Sequence, residues 1–334
     1  MTAKRKRLPT KDSRLSRLED CYLYAIASPA DLANRLDLTV AKLERLAHDS
    51  RAYNIWTNEK GRKIQEPKPE LQQIHGRVHR LLSRVETPDY LHSSVRGRSY
   101  ITNARQHISD GPCAKLDLKK FFPSVTRHVI FQFFYHRMRC ARDVAGLLSR
   151  LLSCDSRLPT GSRASSILAY YCYKEMFDEL CALAVQRGLV FTCYVDDVAF
   201  TGVGASKVIA DARKIIAAYG MRSHKVKAFP KGRPRIVTGI LVTASGVKLP
   251  NRRHLKIKAE YEAFREARSD EERLKLLPSL ISRVHEAAQI DPSSWQPKAR
   301  NLEQARRDAE FRLKLRMNSV RKLSPPQGDA ARDV

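Results

Sequence analysis

Apolar positions along the chain recur with two periods, and the switches between them mark its elements. From Ser28 to His48 the set Ala30, Leu32, Ala33, Leu36, then Val40, Leu43, Leu46, Ala47 steps by three and four, which predicts two short amphipathic helices broken near Asp37-Leu38-Thr39. Such a pair resembles a helix-turn-helix, and two short helices are also a common way to pad a core. Residues 51–66 hold two short candidate strands around Asn58-Glu59-Lys60-Gly61, and a helix from Leu71 to Val85 follows the Pro67/Pro69 boundary. Cys113 to Leu118 reads as a buried strand, Val125 to Arg139 as an aromatic-rich helix, and Ser162 to Leu183 as one long helix. Leu189 to Tyr194 and Val198 to Thr201 are two strands joined by a very short acidic turn, hence a β-hairpin. Val203 to Tyr219 reads as a helix and Arg235 to Val242 as a strand. Beyond Leu255 the pattern is helical to about Lys322, interrupted near Pro278 and over 291–297. Residues 1–19 read as a basic, partly mobile arm, and the tail from Ser324 as disordered. The order strand, helix, helix, hairpin, helix, strand predicts an α+β domain with an antiparallel sheet.

Composition narrows the class. With 334 residues, 43% of them apolar, the chain can bury a sizeable core. It has no apolar run near the ~18 residues of a membrane span, and Met1 to Arg7 lacks the apolar stretch of a secretion signal; a soluble cytoplasmic protein is expected. Seven cysteines, an odd number with no C-x-x-C pair, read as buried thiols of a reducing compartment. The 62 Lys and Arg against 35 Asp and Glu leave a net charge of +27, which calls for a polyanionic partner. Its distribution says more: residues 201–259 carry 14 basic side chains and one carboxylate, Asp211, while residues 251–334 mix 19 basic with 13 acidic ones. A nucleic-acid backbone is the natural partner of the first block, with Lys225, Lys231, Arg233, Arg235, Arg252, Arg253, Lys256 and Lys258 as candidate phosphate contacts.

The candidate chemistry lies in three carboxylates. Asp196 and Asp197 occupy the tip of the apolar hairpin, and Asp117 ends the strand that begins at Cys113. An Asp-Asp pair is also a good turn sequence. Inside an apolar frame, however, desolvation and mutual repulsion raise the pKa of such groups unless a cation compensates. Mg²⁺ suits a few carboxylates completed by substrate phosphate oxygens, and two ions ~3.5–4 Å apart could stabilise the attacking and leaving oxygens of an in-line phosphoryl displacement.

The surrounding residues make a specific resemblance. Tyr194-Val195-Asp196-Asp197 resembles the Y-x-D-D box of reverse transcriptases, and the run Ala114 to Val125, with Asp117-Leu118-Lys119-Lys120-Phe121-Phe122-Pro123-Ser124 at its heart, is similar to their first catalytic motif. Arg62-Lys63-Ile64-Gln65-Glu66-Pro67 resembles the opening of their fingers. Asn103-Ala104-Arg105-Gln106-His107 matches the N-A-x-x-H element, and Val237-Thr238-Gly239 the V-T-G element, of the bacterial retron type.

This resemblance implies a right-hand polymerase fold: a basic arm with N-terminal helices over 1–51, fingers over 52–111, a palm with the catalytic hairpin over 112–243, a helical thumb over 244–322 and a short tail. It implies catalytic Asp117, Asp196 and Asp197, with the same three and Leu118 around two Mg²⁺ ions, for which Mn²⁺ could substitute. It implies a nucleotide site of Arg62, Arg98, Lys119, Phe121, Phe122, Gly161 and Lys227. Phe122 would gate against a 2′-OH, although a core role is its alternative. Either Lys227 or Lys225 would stand near the departing pyrophosphate. Asn103 and His107 join the nucleic-acid contacts. In Leu158 to Ser166, Thr160 and Arg163 replace the usual Gln and Pro of the P-Q-G-x-P-x-S-P loop, while Gly161 and Ser165 remain.

The implied reaction is RNA-templated DNA synthesis on a cognate non-coding RNA serving as template and primer. It would start from a guanosine 2′-OH, use dNTPs, leave an RNA–DNA hybrid and RNA-linked DNA, and act in phage defence beside an effector protein. About 75 residues follow Lys258, fewer than a fused RNase H domain occupies, so a host RNase H is expected. Another bacterial reverse transcriptase class, diversity-generating, group II-like or abortive-infection, and a non-catalytic RNA-binding protein of the same fold are the alternatives.

Overall fold

The computed structural model describes residues 15–323, so most of the basic arm and the tail from Ser324 lie outside the described residues. The chain divides into two compact units, Met1–Thr238 and Gly239–Val334.

In the first unit two helices, Pro29–Leu36 and Val40–His48, start on the side-chain caps of Ser28 and Thr39. Their apolar faces, with Leu32, Leu36, Leu43 and Leu46 buried, join the main core, so they pad it as the pattern allows. An antiparallel ribbon follows, β1 (Tyr53–Thr57) and β2 (Lys63–Pro67), and then the helix Pro69–Leu82. The central sheet has four strands: β3 (Cys113–Leu118), β4 (Val190–Tyr194), β5 (Asp197–Thr201) and β6 (Ser223–Phe229), in the order β4-β5-β3-β6, all pairs antiparallel. β5 and β3 are the two inner strands, and β3 has Cys113, Ala114, Leu116 and Leu118 all buried. Helices Lys174–Gln186 and Val208–Ala218 pack on β4 and β3. The architecture is α+β, as expected.

Three expectations change. The long helix over 162–183 is two helices, Ser165–Cys172 and Lys174–Gln186, parted at Tyr173, whose backbone (φ −123°) leaves the helical region. The aromatic-rich helix runs as an α-helix only over Arg127–Gln132 and continues as a π-helical turn, Phe133–Arg137. The strand expected over 235–242 is β7 (Arg235–Val237) and β8 (Ile240–Thr243), because Thr238 (φ 45°) and Gly239 (φ 78°) both take left-handed backbone.

The second unit opens with the hairpin of β8 and β9 (Gly246–Lys248) and continues as helices Asn251–Glu266, Asp270–Ile290 and Pro292–Leu323. Pro278 does not interrupt its helix. The neighbouring turns hold Leu277, Leu280, Val284 and Ala287 fully buried, and this packing offsets the missing backbone hydrogen bond. Among the described residues no helix is long and apolar enough to cross a membrane, and all seven cysteines are free thiols.

Candidate active site

Strand register brings the carboxylates together. Asp117 of β3 pairs directly with Asp197 of β5, and the Leu118 N–H donates to the Asp196 carbonyl at 2.7 Å. Asp196 thus sits at the tip of a two-residue turn beside the end of the central strand. The turn is strained: Val195, a β-branched residue, has φ 58°, a conformation that costs about 1–3 kcal/mol and persists only where its surroundings enforce it.

At Asp196 and Asp197, burial and carboxylate repulsion outweigh the nearby positive charge. Burial raises the Asp196 pKa, and the charges of Asp117 and Asp197 raise it further. The charge of Arg62, on the turn of the β1–β2 ribbon, reaches Asp196 and opposes them. Burial also raises the Asp197 pKa, although Lys115 Nζ lies 3.0 Å from its Oδ2. On β6, His224 Nε2 contacts Asp117 Oδ1 and Lys225 Nζ lies 3.4 Å from Oδ2. Among the described residues no three His, Cys, Asp or Glu side chains form a ready-made ligand set. Clustered, partly desolvated carboxylates with an incomplete set are what a divalent ion bound jointly with substrate phosphates requires, so the residues fit such an ion. Asp117 and Asp196 would hold it, with the Leu118 carbonyl as a backbone donor. Leu118 contributes no side chain, since that is fully buried.

The remaining candidates separate by burial. Arg62, Lys119, Lys225 and Lys227 are exposed and Phe122 is half-buried. Lys231 and Arg233 are exposed beside them in sequence, Lys231 lying 3.8 Å from Asp110. In the second unit Arg252, Lys256 and Lys258 are exposed on one helix, while Arg253 is paired with Glu286 at 2.6 Å.

Five candidates do other work. Arg235 is 1% exposed; its guanidinium donates to the carbonyls of His107 (2.6 Å), Ser109 (2.9 Å) and Gly111 (3.1 Å), so it clamps a loop instead of a phosphate. His107 is fully buried between Thr201 of β5 (2.8 Å) and Thr192 of β4 (2.7 Å), and burial lowers its pKa to about 3, leaving it neutral. Asn103 is buried against Thr238 at 3.5 Å, and the Thr238 hydroxyl donates to the Tyr100 carbonyl at 2.7 Å. Asn103 of the N-A-x-x-H element and Thr238 of the V-T-G element therefore meet, and the buried Asn103, His107 and Arg235 are corrected from nucleic-acid contacts to internal braces. Arg98 donates to the carbonyls of Pro88 (2.6 Å) and Leu91 (2.8 Å) and to Asp89 (2.8 Å), which commits its guanidinium to a loop. The Phe121 ring is buried against Tyr173 and Phe177, so it is a core side chain.

Gly161 has a defined steric reason. Its N–H donates to the Gln65 carbonyl at 2.9 Å, and a Cβ there would lie 2.8 Å from that oxygen. Thr160, the departure from the family loop, donates its hydroxyl to the Lys63 carbonyl at 3.0 Å, so the loop is stitched to β2. Sequence reasoning missed Lys115 and His224. Lys115 was detectable, because strand periodicity places it on the face of Asp117 two residues away. His224 was not, because it lies on a strand the pattern did not reveal.

An antiparallel sheet carrying clustered carboxylates at a hairpin tip and the adjoining strand end, flanked by helices, is the palm of a right-hand nucleic-acid polymerase. Residues 43–229 match the family described as Reverse transcriptase (RNA-dependent DNA polymerase). The chain belongs to that family, and its resemblance is to the bacterial retron type. It is 30% identical over 142 residues to the retron Se72 reverse transcriptase of Salmonella heidelberg, covering 42% of this chain and 38% of that one. It is 27% identical over 241 residues to the retron Ec86 reverse transcriptase of Escherichia coli, covering 68% and 74%. Across these relatives the match thus spans from under two fifths to about three quarters of their length. A solved foamy viral protease–reverse transcriptase in complex with double-stranded DNA aligns over 70% of this chain and 35% of that chain, with a TM-score of 0.42 and 15% identity.

Proposed function

We propose that the chain is a retron reverse transcriptase that copies a cognate structured RNA into a short RNA-linked DNA. The observation that carries the reading is the set Asp117, Asp196 and Asp197, brought to one sheet end by register, with the Asp196 and Asp197 pKa values raised by burial and by the neighbouring carboxylate charges. Two bound Mg²⁺ ions would supply charge neutralisation and lower the pKa of the attacking hydroxyl. The chain's own residues position the reactants. Asp117 and Asp196 fix the α-phosphate end of the site, and Arg62, exposed and electrostatically linked to Asp196, meets the incoming triphosphate. Phe122 lies one residue beyond the buried Phe121, with ring centroids 5.8 Å apart, so the core anchors the gate that would reject a ribose 2′-OH. Lys225, already beside Asp117, is better placed than Lys227 to meet leaving pyrophosphate. Exposed Lys231, Arg233, Arg252, Lys256 and Lys258 supply backbone contacts for template and product.

Priming from a guanosine 2′-OH, a role in phage defence with an effector protein, and RNA removal by a host RNase H extend the same reading and rest on the retron resemblance. The test is to purify the chain with RNA from its own locus, add Mg²⁺ and labelled dNTPs, and sequence the products. RNA-linked DNA joined through a 2′ linkage is expected. Incorporation without that linkage would transfer the chain to another reverse transcriptase class. Absence of incorporation would leave a nucleic-acid-binding protein of this fold.

A further inference from the structure

Tyr90, Leu91, His92 and Ser93 belong to no named strand, yet they line the outer edge of the catalytic hairpin. The Cys193 N–H donates to the Tyr90 carbonyl at 2.7 Å, the His92 N–H donates to the Cys193 carbonyl at 2.9 Å, and Leu91 pairs with Cys193 as a parallel bridge. One residue further on, the side chain takes over from the backbone: Ser93 Oγ accepts the N–H of Val195 at 3.1 Å. Val195 is the residue held at φ 58°, and Ser93 is 4% exposed, so water does not readily replace the hydroxyl.

The segment is itself anchored. His92 Nδ1 lies 2.9 Å from Thr102 Oγ1, whose hydroxyl donates to the Ser99 carbonyl at 2.9 Å; the ring therefore donates through Nδ1. Burial lowers the His92 pKa to about 4, which keeps this tautomer neutral. Arg98 secures the preceding turn through the Pro88 and Leu91 carbonyls.

We infer that Ser93 is a positioning residue for catalysis: its buried hydroxyl holds the Val195 peptide in the strained turn that aims Asp196 at the reacting phosphate. A β-branched residue leaves the left-handed region unless something holds it there, and relaxation of Val195 would swing the next residue, Asp196. The effect on turnover rests on the polymerase reading, while the effect on the turn rests on these hydrogen bonds alone.

The test compares Ser93→Ala, Ser93→Thr and the pair Ser93→Ala/Val195→Gly by two readouts: amide hydrogen exchange of the peptide spanning 190–201, and kcat and KM for dTTP on a primed RNA template. Ser93→Ala should exchange about 10-fold faster at the turn, the equivalent of one lost hydrogen bond. Its kcat should fall roughly 10- to 100-fold, as a small misplacement of a reacting group does, with KM within about 2-fold and the melting temperature near that of the wild type. Ser93→Thr keeps the acceptor and should restore both. Val195→Gly removes the φ penalty and should recover most of the kcat lost in Ser93→Ala. Should Ser93→Ala fold poorly, Ser93→Cys, isosteric with a weak acceptor, carries the same comparison. Unchanged turn exchange in the Ala variant, or no recovery in either Ser93→Thr or the glycine pair, overturns the inference. If the wild type incorporates no nucleotide the polymerase reading fails, and hydrogen exchange still decides whether Ser93 holds the turn.

Discussion

The two ends of β3 and β5 are a few residues apart and opposite in kind. At the Cys113/Thr201 end, polar groups are buried and partnered: His107 spans two threonines, and Arg235 is spent on three carbonyls. At the Asp117/Asp197 end, carboxylates face one another, burial raises the Asp197 pKa, and Lys115, Lys225 and the His224 ring gather around them. A satisfied polar group stabilises and specifies structure, whereas charges gathered against their own repulsion mark a place where a ligand completes the balance. Both ends were read as functional from sequence; only the carboxylate end has the electrostatics of a site.

The sharpest way to break this contrast is at the carboxylates. Asp196→Asn should lower dNTP incorporation on the order of 10³-fold or more, beyond the loss of a single transition-state hydrogen-bond donor, while circular dichroism and melting stay close to wild type. At the opposite end, Arg235→Met should do the reverse. It strands carbonyls the guanidinium now satisfies and should destabilise by about 3 kcal/mol in urea unfolding, with the salt dependence of RNA binding by the folded fraction unchanged; a lowered salt slope would return Arg235 to the phosphate contacts.

A third prediction concerns acid. His75, His92 and His107 have folded pKa values depressed to about 4, 4 and 3 from 6.5. The unfolded chain therefore binds more protons between about pH 6.5 and 3, and stability should fall as pH drops through that window. Each histidine contributes up to about 1.4 kcal/mol per pH unit, and His107→Gln should flatten the slope by one such share in pH-dependent urea melts. The smallest expected effect is at the gate. Phe122→Ala should leave dNTP turnover within roughly 10-fold and improve the use of rNTPs relative to dNTPs by a similar factor, as relief of a steric clash does; an unchanged ratio would make Phe122 a core residue only.

Much of this was legible because the hairpin strands are apolar runs and β3 buries all its positions but Lys115 and Asp117, and such patterns leave few options. The catalytic aspartates were legible for the same reason, since carboxylates inside apolar runs are conspicuous. What stayed hidden lacked that contrast. Strand β6 is exposed along most of its length, so Ser223–Phe229 carries no burial pattern, and His224 was invisible with it. Helix Tyr100–Arg105 is a single capped turn and a half, too short for a period to show. The mistaken roles of Asn103, His107 and Arg235 share one cause: residue type alone cannot separate a polar side chain that braces backbone from one that meets a phosphate, and only burial does so.

The close approach at Gly161 has a consequence for motion. With its N–H on the Gln65 carbonyl, no room for a Cβ, and Thr160 fastened to Lys63, the loop and the β1–β2 ribbon are joined like two blades riveted at one pin. Arg62 rides on that ribbon. Any displacement of that ribbon is therefore shared by the loop that carries Thr160 and Gly161.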